Sequence, residues 1–310
     1  MRTDTIVLLI LIFLILRPAE APAQQEMASL PKVIRESIAA SLNKPVKEIT
    51  AADLPRVDHL DLFYPAMSNA DLAHLKLLTH LENLDLNSTQ VSDAGLAHLK
   101  TLTQLQQLIL NDTKVSDAGL AHLKTLTQLK NLYLDHTKIS DAGLAHLEPL
   151  TQLQILYLGA PKVSNAGLVH LKTLTQLQSL GLSGSKVSDA GLAHLKPLTQ
   201  LKGLYLTGLE ISDAGLEHLK TLTQLECMWL NSTKVGDAGM EHLKPLTRLG
   251  MLVLWRTKVS DAGLEHLKAL KQLKRLDLDG TQVTAEGVRD FRKHRRKCTV
   301  HWKPSAKPGG

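Results

Sequence analysis

The chain has 310 residues, a net charge of +6, and a composition that is 44% hydrophobic but only 3% aromatic. A length of this kind suggests two globular domains by size alone, yet a core nearly devoid of rings must be built from stacked aliphatic side chains, which disfavours an ordinary mixed globule. The charge is not spread evenly: ten Lys or Arg stand against four Asp or Glu from Leu273 onward, and the rest of the chain balances at 26 of each sign.

Residues Ile6 to Leu16 form an unbroken apolar run, preceded by Arg2 and followed by Ala21-Pro22-Ala23. The run is shorter than the ~20 residues a membrane-spanning helix needs, and the small-x-small triplet suits a signal peptidase. Residues 1–23 therefore read as a secretory signal peptide, with retention as an anchor the alternative, and the protein is expected to be secreted or held in the periplasm or cell envelope. No later segment has the length and hydropathy to cross a membrane. Residues 27–56 read as an N-terminal helical cap, with an amphipathic helix over Val33–Leu42 and a second helix start at Thr50.

From Val57 the sequence repeats every 24 residues. Units begin at Val57, Leu81, Leu105, Leu129, Leu153, Leu177, Leu201, Leu225, Leu249 and Leu273 without an insertion or deletion, on the consensus LxxLxLxxTxVSDAGLAHLKxLTQ. The LxxLxL part alternates apolar and variable residues, as a strand with one buried face does. In VSDAGLAHLK the spacing becomes helical, with Ser92 expected at the N-cap and Asp93 in the first turn, where a negative charge suits the helix dipole. Such a unit cannot bury its own leucines, so units must stack, strands forming a parallel sheet on the inner side and helices the outer arc. Val288 and Phe291 extend the last helix and Val300 and Trp302 fall in the inward register of a closing strand, so residues 57–302 make ten units plus that strand. Residues 303–310 read as a disordered tail.

This pattern resembles the leucine-rich-repeat family, and within it the cysteine-containing, ribonuclease-inhibitor-like subclass, whose LxxLxLxxC is followed by ITDxGL; the VSDAGLAHLK variant looks like that of bacterial secreted repeat proteins. Thr89, Thr113, Thr137, Thr233, Thr257 and Thr281 stand where that subclass has its Cys, and a hydroxyl there can bond the turn backbone. The resemblance implies an α/β horseshoe solenoid with a concave parallel sheet and convex short helices.

Several columns invite functional readings. Histidine recurs in nine units, from His74 to His266, at a position about 130° from the buried helix leucines, which places it in solvent as a duplicated surface residue rather than a metal ladder. Glycine recurs from Gly95 to Gly287, which reads as room for neighbouring turns to approach. The lysine column at Lys100 reads as a solvated face balanced by the Asp93 column. Cys227 and Cys298 lie about three repeats apart, beyond disulfide reach, and are expected to be free.

The outward strand positions vary, and folding alone does not fix them. Position 5 of successive units runs Asp61, Asp85, Ile109, Tyr133, Tyr157, Gly181, Tyr205, Trp229, Val253, Asp277, and position 7 includes Phe63, Asn87, Asn111, Asp135 and Trp255. Exposed Tyr, Trp and Met on a rigid surface are the residue types of binding hot spots. Phe63, Tyr133, Tyr157, Tyr205, Trp229, Met251 and Trp255 are the expected partner-binding residues, for a protein or peptide first and a polysaccharide second; the competing reading is that large side chains merely shield the strand backbone. The basic run Arg292–Lys297 has no interleaved aromatic platform, so nucleic acid is not expected. The sequence holds no HExxH, GxSxG, CxxC or phosphate-loop motif, and Gly181-Leu182-Ser183-Gly184-Ser185-Lys186 aligns with an ordinary strand and turn. The expectation is a non-enzymatic binding scaffold without catalytic residues, metal or cofactor. A structural surface protein is the alternative. An F-box-like ubiquitin-ligase adaptor rests on repeat analogy only, since the residues before Val57 are taken up by the signal peptide and cap.

Overall fold

The computed structural model describes residues 29–303; the expected signal peptide and almost all of the expected tail lie outside the described residues. Eleven parallel strands form one open sheet in strict chain order. They are β1 His59–Asp61, β2 Asn83–Asp85, β3 Gln107–Ile109, β4 Asn131–Tyr133, β5 Ile155–Tyr157, β6 Ser179–Gly181, β7 Gly203–Tyr205, β8 Cys227–Trp229, β9 Met251–Val253, β10 Arg275–Asp277 and β11 Thr299–His301. Each pairs with the next at an offset of 24 residues, Leu60 opposite Leu84 at one end and Leu276 opposite Val300 at the other. The repeat period read from the sequence is thus the pairing register of the sheet. The architecture is a leucine-rich-repeat solenoid, with strands on one side and short helical turns on the other.

Inward positions 4 and 6 of each strand, together with the turn leucines, build one continuous apolar column. Leu132, Leu134, Leu144, Leu147 and Leu150 of a single coil are all fully buried. Each such Leu is worth about 1.5–3 kcal/mol when removed from water, but only because the coils above and below supply the other half of its surroundings. The helical side is tighter than an α-helix alone: one α turn such as Asp93–Leu96 runs on into a 3-10 turn, Ala97–Thr101. In the unit starting at Leu153 the whole turn is 3-10, Gly167–Thr173.

After eight of the strands, β2–β4 and β6–β10, the chain turns through a left-handed residue, Ser88, Asp112, His136, Gly184, Gly208, Ser232, Arg256 or Gly280. Ala160 occupies this place in the fifth unit and is not left-handed, because Pro161 follows it and restricts its backbone. The threonine hydroxyls act as expected: Thr89, Thr113, Thr137, Thr233, Thr257 and Thr281 are buried and each donates to the carbonyl three residues earlier at 2.6–2.7 Å.

Ser92 and Asp93 stand at the N-cap and in the first helical turn as expected, and the Ser and Asp columns in addition bond from coil to coil. Ser116 donates its amide to Asp93 Oδ1 at 2.7 Å and its hydroxyl to Asp93 Oδ2 at 2.6 Å. The same pair of bonds joins Ser140 to Asp117, Ser164 to Asp141, Ser212 to Asp189 and Ser260 to Asp237. Each aspartate sits in its own helix's first turn, but its carboxylate staples the next coil, 23 residues on. The Ser92 side chain makes no cap bond within its own helix, whereas Ser260 Oγ accepts from the Ala262 amide of its helix at 3.3 Å. The glycines follow from this staple. A Cβ on Gly119 would stand 2.5 Å from Asp93 Oδ1, and on Gly143 every near atom belongs to Asp117, including its Cα at 3.2 Å.

Both ends are closed. The helix Lys32–Leu42 buries Ile34 and Ile38, and Ser37 Oγ donates to the Asp61 carbonyl at 3.0 Å. A 3-10 turn, Ala51–Arg56, is fixed by a reciprocal Thr50–Asp53 capping box. At the other end the helix Ala285–His294 buries Val288 and Phe291, Arg292 donates to the Val300 carbonyl at 2.9 Å, and Trp302 Nε1 donates to the Val283 carbonyl at 3.0 Å. Cys227 and Cys298 are free. Among the described residues no helix is long and apolar enough to cross a membrane.

Two predictions follow from these contacts. Gly143→Ala should cost about 1–3 kcal/mol in urea unfolding by crowding Asp117, despite the ~1 kcal/mol by which Ala favours a helix over Gly. In an Asp117→Ala background that loss should shrink or reverse; an additive double-mutant cycle would disprove the staple. The Asp53 carboxyl is held down at about 2, chiefly by the Lys44 ammonium that donates to it and by the Thr50 amide. Its folded value lies below its unfolded one, so its contribution is present above pH ~4 and lost as pH falls toward about 2. The stability difference between the protein and Asp53→Asn should narrow across that window and stay flat above pH ~5.

Candidate functional site

Positions 3, 5 and 7 of each strand point away from the leucine core onto the open sheet face. Adjacent parallel strands stand ~4.8 Å apart, so rings at position 5 of neighbouring strands must touch. Tyr133 and Tyr157 meet edge to face with centroids 5.3 Å apart, Tyr157 and Tyr205 at 5.6 Å, and Tyr205 and Trp229 at 5.4 Å. Edge-to-face contact is the favoured geometry for such rings, since a positive ring edge meets a negative face.

The middle contact spans two strand spacings, and Gly181 allows it. A Cβ at Gly181 would lie 2.7 Å from Tyr157 Cδ1. Tyr157 leans over this bare position on β6 to reach Tyr205 on β7, so four rings from β4, β5, β7 and β8 form one continuous ridge. Burial among these rings, helped by the neighbouring Tyr157 phenol, pushes the Tyr205 hydroxyl up to about 12, and burial also raises Tyr133 and the Cys227 thiol.

Beside the ridge lies an open groove of about 420 Å³, walled by Tyr157, Tyr205 and Trp229, with Asp135, Ser183 and Thr207 along its other side. Those polar side chains brace the turns after the strands. Asp135 Oδ1 accepts from the Gly159 amide at 2.6 Å, Ser183 Oγ from the Thr207 amide at 3.2 Å, and Thr207 Oγ1 donates to Asn231 Oδ1 at 2.9 Å. A second depression on the opposite flank of Tyr205 is polar, with Gln154, Gln178, Lys202, Glu226 and Cys227 around it.

The expected site residues do not all come together. Tyr133, Tyr157, Tyr205 and Trp229 form the ridge. Met251 lies one strand further, opposite Cys227, and lines a separate depression with Arg248 and Arg275. Trp255 is 41% exposed and carries the Arg256 guanidinium over its ring at 4.8 Å. Phe63 is 53% exposed on the first unit, three strands before Tyr133, and stacks on Tyr64 at 6.0 Å. Sequence reading missed Gly181 and Asp135 as parts of the site; a glycine interrupting a row of tyrosines was the available signal.

The histidine column is half-buried in eight of its nine units rather than solvent-facing, with only His98 exposed. His170 Nδ1 lies 2.6 Å from Glu148 Oε1 of the preceding coil, and burial lowers His146. Among the described residues no group of three or more His, Cys, Asp or Glu side chains is placed to hold a metal ion.

Residues 78–100 match the family model described as a leucine-rich repeat. No curated protein matches the chain. Among solved structures, similarity extends to internalin inlF of Listeria monocytogenes, at 22% identity over 94% of this chain and 100% of that one, with a TM-score of 0.44. Internalin C2 of the same organism shows 19% identity over 90% and 96% of the two chains, with a TM-score of 0.48. A leucine-rich-repeat protein of Leptospira interrogans shows 20% identity and a TM-score of 0.53; the similarity covers 74% of this chain and 62% of that protein's length. At these identities the likeness is one of fold.

Gly181→Ala should displace the Tyr157 ring and divide the ridge, visible as altered near-UV circular dichroism. Stability should change by no more than about 1 kcal/mol, because Ala suits a strand better than Gly does. An unchanged aromatic spectrum would show that the ridge does not depend on the bare position.

Proposed function

We propose that this leucine-rich-repeat solenoid is a non-enzymatic scaffold that works outside the cytoplasm and binds a protein partner on its open sheet face. The observation that carries the reading is the aromatic ridge: Tyr133, Tyr157, Tyr205 and Trp229 are contiguous, and Trp229 remains 40% exposed at its end. Contiguous exposed apolar surface is uncommon unless used, and rings held rigidly by one another lose little freedom on binding. The fold suits the role, since a stack of coils offers a long, stiff surface whose outward residues vary without disturbing the leucine column. Action beyond the cytoplasm is supported by the apolar run Ile6–Leu16 and the Ala21-Pro22-Ala23 triplet.

Affinity capture from the native cell envelope, with wild type beside a Tyr205→Ala/Trp229→Ala double variant, tests the surface. The variant should keep its far-UV spectrum and unfolding midpoint while losing the captured polypeptide; equal capture by both would refute the assignment. Export is tested by sequencing the N-terminus of the mature protein, which should begin at Gln24.

A further inference from the structure

The charge on the open face opposes that of the chain. Although the protein carries +6 overall, positions 3, 5 and 7 of the ten units hold five aspartates, Asp61, Asp85, Asp135, Asp277 and Asp279, against a single arginine, Arg275, and a histidine, His59. His59 is engaged by Asp61 at 3.0 Å. Asp61 and Asp85 lie opposite one another on β1 and β2, and burial raises the Asp85 carboxyl, with the neighbouring Asp61 charge adding to the shift. Excess cation is concentrated in the terminal run Arg292–Lys297 around the last helix, while Lys202, Arg248 and Lys274 border the depressions that flank these outward positions.

The aromatic groove sits inside this acidic frame. Its walls are the faces and edges of Tyr157, Tyr205 and Trp229, and one of its ends is the Asp135 carboxylate. Asp135 Oδ1 is taken by the Gly159 amide, whereas among the described residues Oδ2 has no hydrogen bond. The same face shows what its rings accept: one strand beyond, Trp255 carries the Arg256 guanidinium at 4.8 Å. Among the described residues no cation of the chain lies over Tyr157, Tyr205 or Trp229. Electron-rich ring faces beside a carboxylate, in a groove partly shielded from water, attract a cation more strongly than either group does alone.

From this geometry we infer that the groove takes a guanidinium or ammonium side chain from an extended basic segment of a partner protein. This deepens, and rests on, the reading of the sheet face as the binding surface. A peptide fits better than a small ammonium compound because the acids are spread along the whole sheet. From Asp135 beyond β4 to Trp229 on β8 is four strand spacings, ~19 Å, the reach of about six extended residues. Asp85 on one side and Asp277 on the other continue the pattern past the groove, out of reach of any single small cation.

The indole N–H signals of Trp229, Trp255 and Trp302 provide the readout, assigned by substitution of each and followed by NMR on the full mature chain. An eight-residue peptide of alternating Gly and Arg, long enough to cover the ~19 Å span with a residue over at each end, is compared with its Gly–Gln and Gly–Glu counterparts. The arginine peptide should shift the Trp229 signal saturably, and Asp135→Asn should weaken its binding about threefold to tenfold. Binding should also fall as salt rises from about 50 mM to about 500 mM. Equal shifts from the glutamine peptide, or a Trp229 shift from the acidic one, would overturn the cation preference while leaving the face as a docking surface. No Trp229 shift from any of the peptides, alongside loss of envelope capture in the Tyr205/Trp229 double variant, would likewise overturn this inference and spare the broader reading. No Trp229 shift from any peptide together with equal envelope capture by wild type and the double variant would sink both readings.

Discussion

The bond from each aspartate to the serine of the next coil is the constraint on which the rest of the molecule depends. Leucine stacking is strong but indifferent to small slips, since dispersion and burial have little direction. A carboxylate that must meet both an amide and a hydroxyl 23 residues ahead has no such latitude. Repeated from Asp93 to Asp261, with Asn165 in place of one aspartate and only the Gly236 amide meeting Asp213, it fixes the rise from coil to coil on the helical side, as the strand hydrogen bonds fix it on the other. Glycine then becomes obligatory at the third position of the helical turn, because the carboxylate occupies the space a Cβ would need.

Fixed register is what turns a row of residues into a surface. With every strand pair offset by 24 residues, position 5 of one coil faces position 5 of the next, and side chains chosen independently in different repeats meet as neighbours. The Tyr–Tyr–Tyr–Trp ridge has no local cause within any repeat. It exists because β4, β5, β7 and β8 carry rings in one column and because β6 carries nothing there, so that two rings close over the gap. A one-residue slip of any coil would send its ring to the opposite face and leave a leucine in its place.

Much of this was legible in the sequence, since the period, the strand and helix halves of each unit, both end caps and the free cysteines all follow from spacing. Where reading failed, the partner of a residue was distant in the chain. Ser92 and Asp93 do start a helix, as their local sequence implies, but their bonds to Asn69 and Ser116 of neighbouring coils have no local sign. The angular step of a free α-helix takes no account of the neighbouring coil, so it gives no sign of the contact between His170 and Glu148. Gly181 was visible but unreadable, because an absent side chain acquires meaning only once the rings on either side are known to lean.

The remaining alternative is that the rings only screen the backbone of the sheet from water. Against that account stands the sheet itself, whose inner strands are paired on both sides and whose coils without rings keep the same register. The strand groups of β1 to β11 are paired with their neighbours along the ladder, from the Leu62 amide on the Asp85 carbonyl to the Leu278 amide on the His301 carbonyl. At the same column the sheet runs unchanged through Asp61, Asp85 and Ile109 at one end and Val253 and Asp277 at the other. A role in screening would apply to every coil alike, because every coil has the same backbone. In this column rings are confined to the middle of the sheet, with carboxylates toward both ends, so the outward residues vary along the axis while the scaffold beneath them does not, a pattern that suits the proposed binding role better than uniform screening.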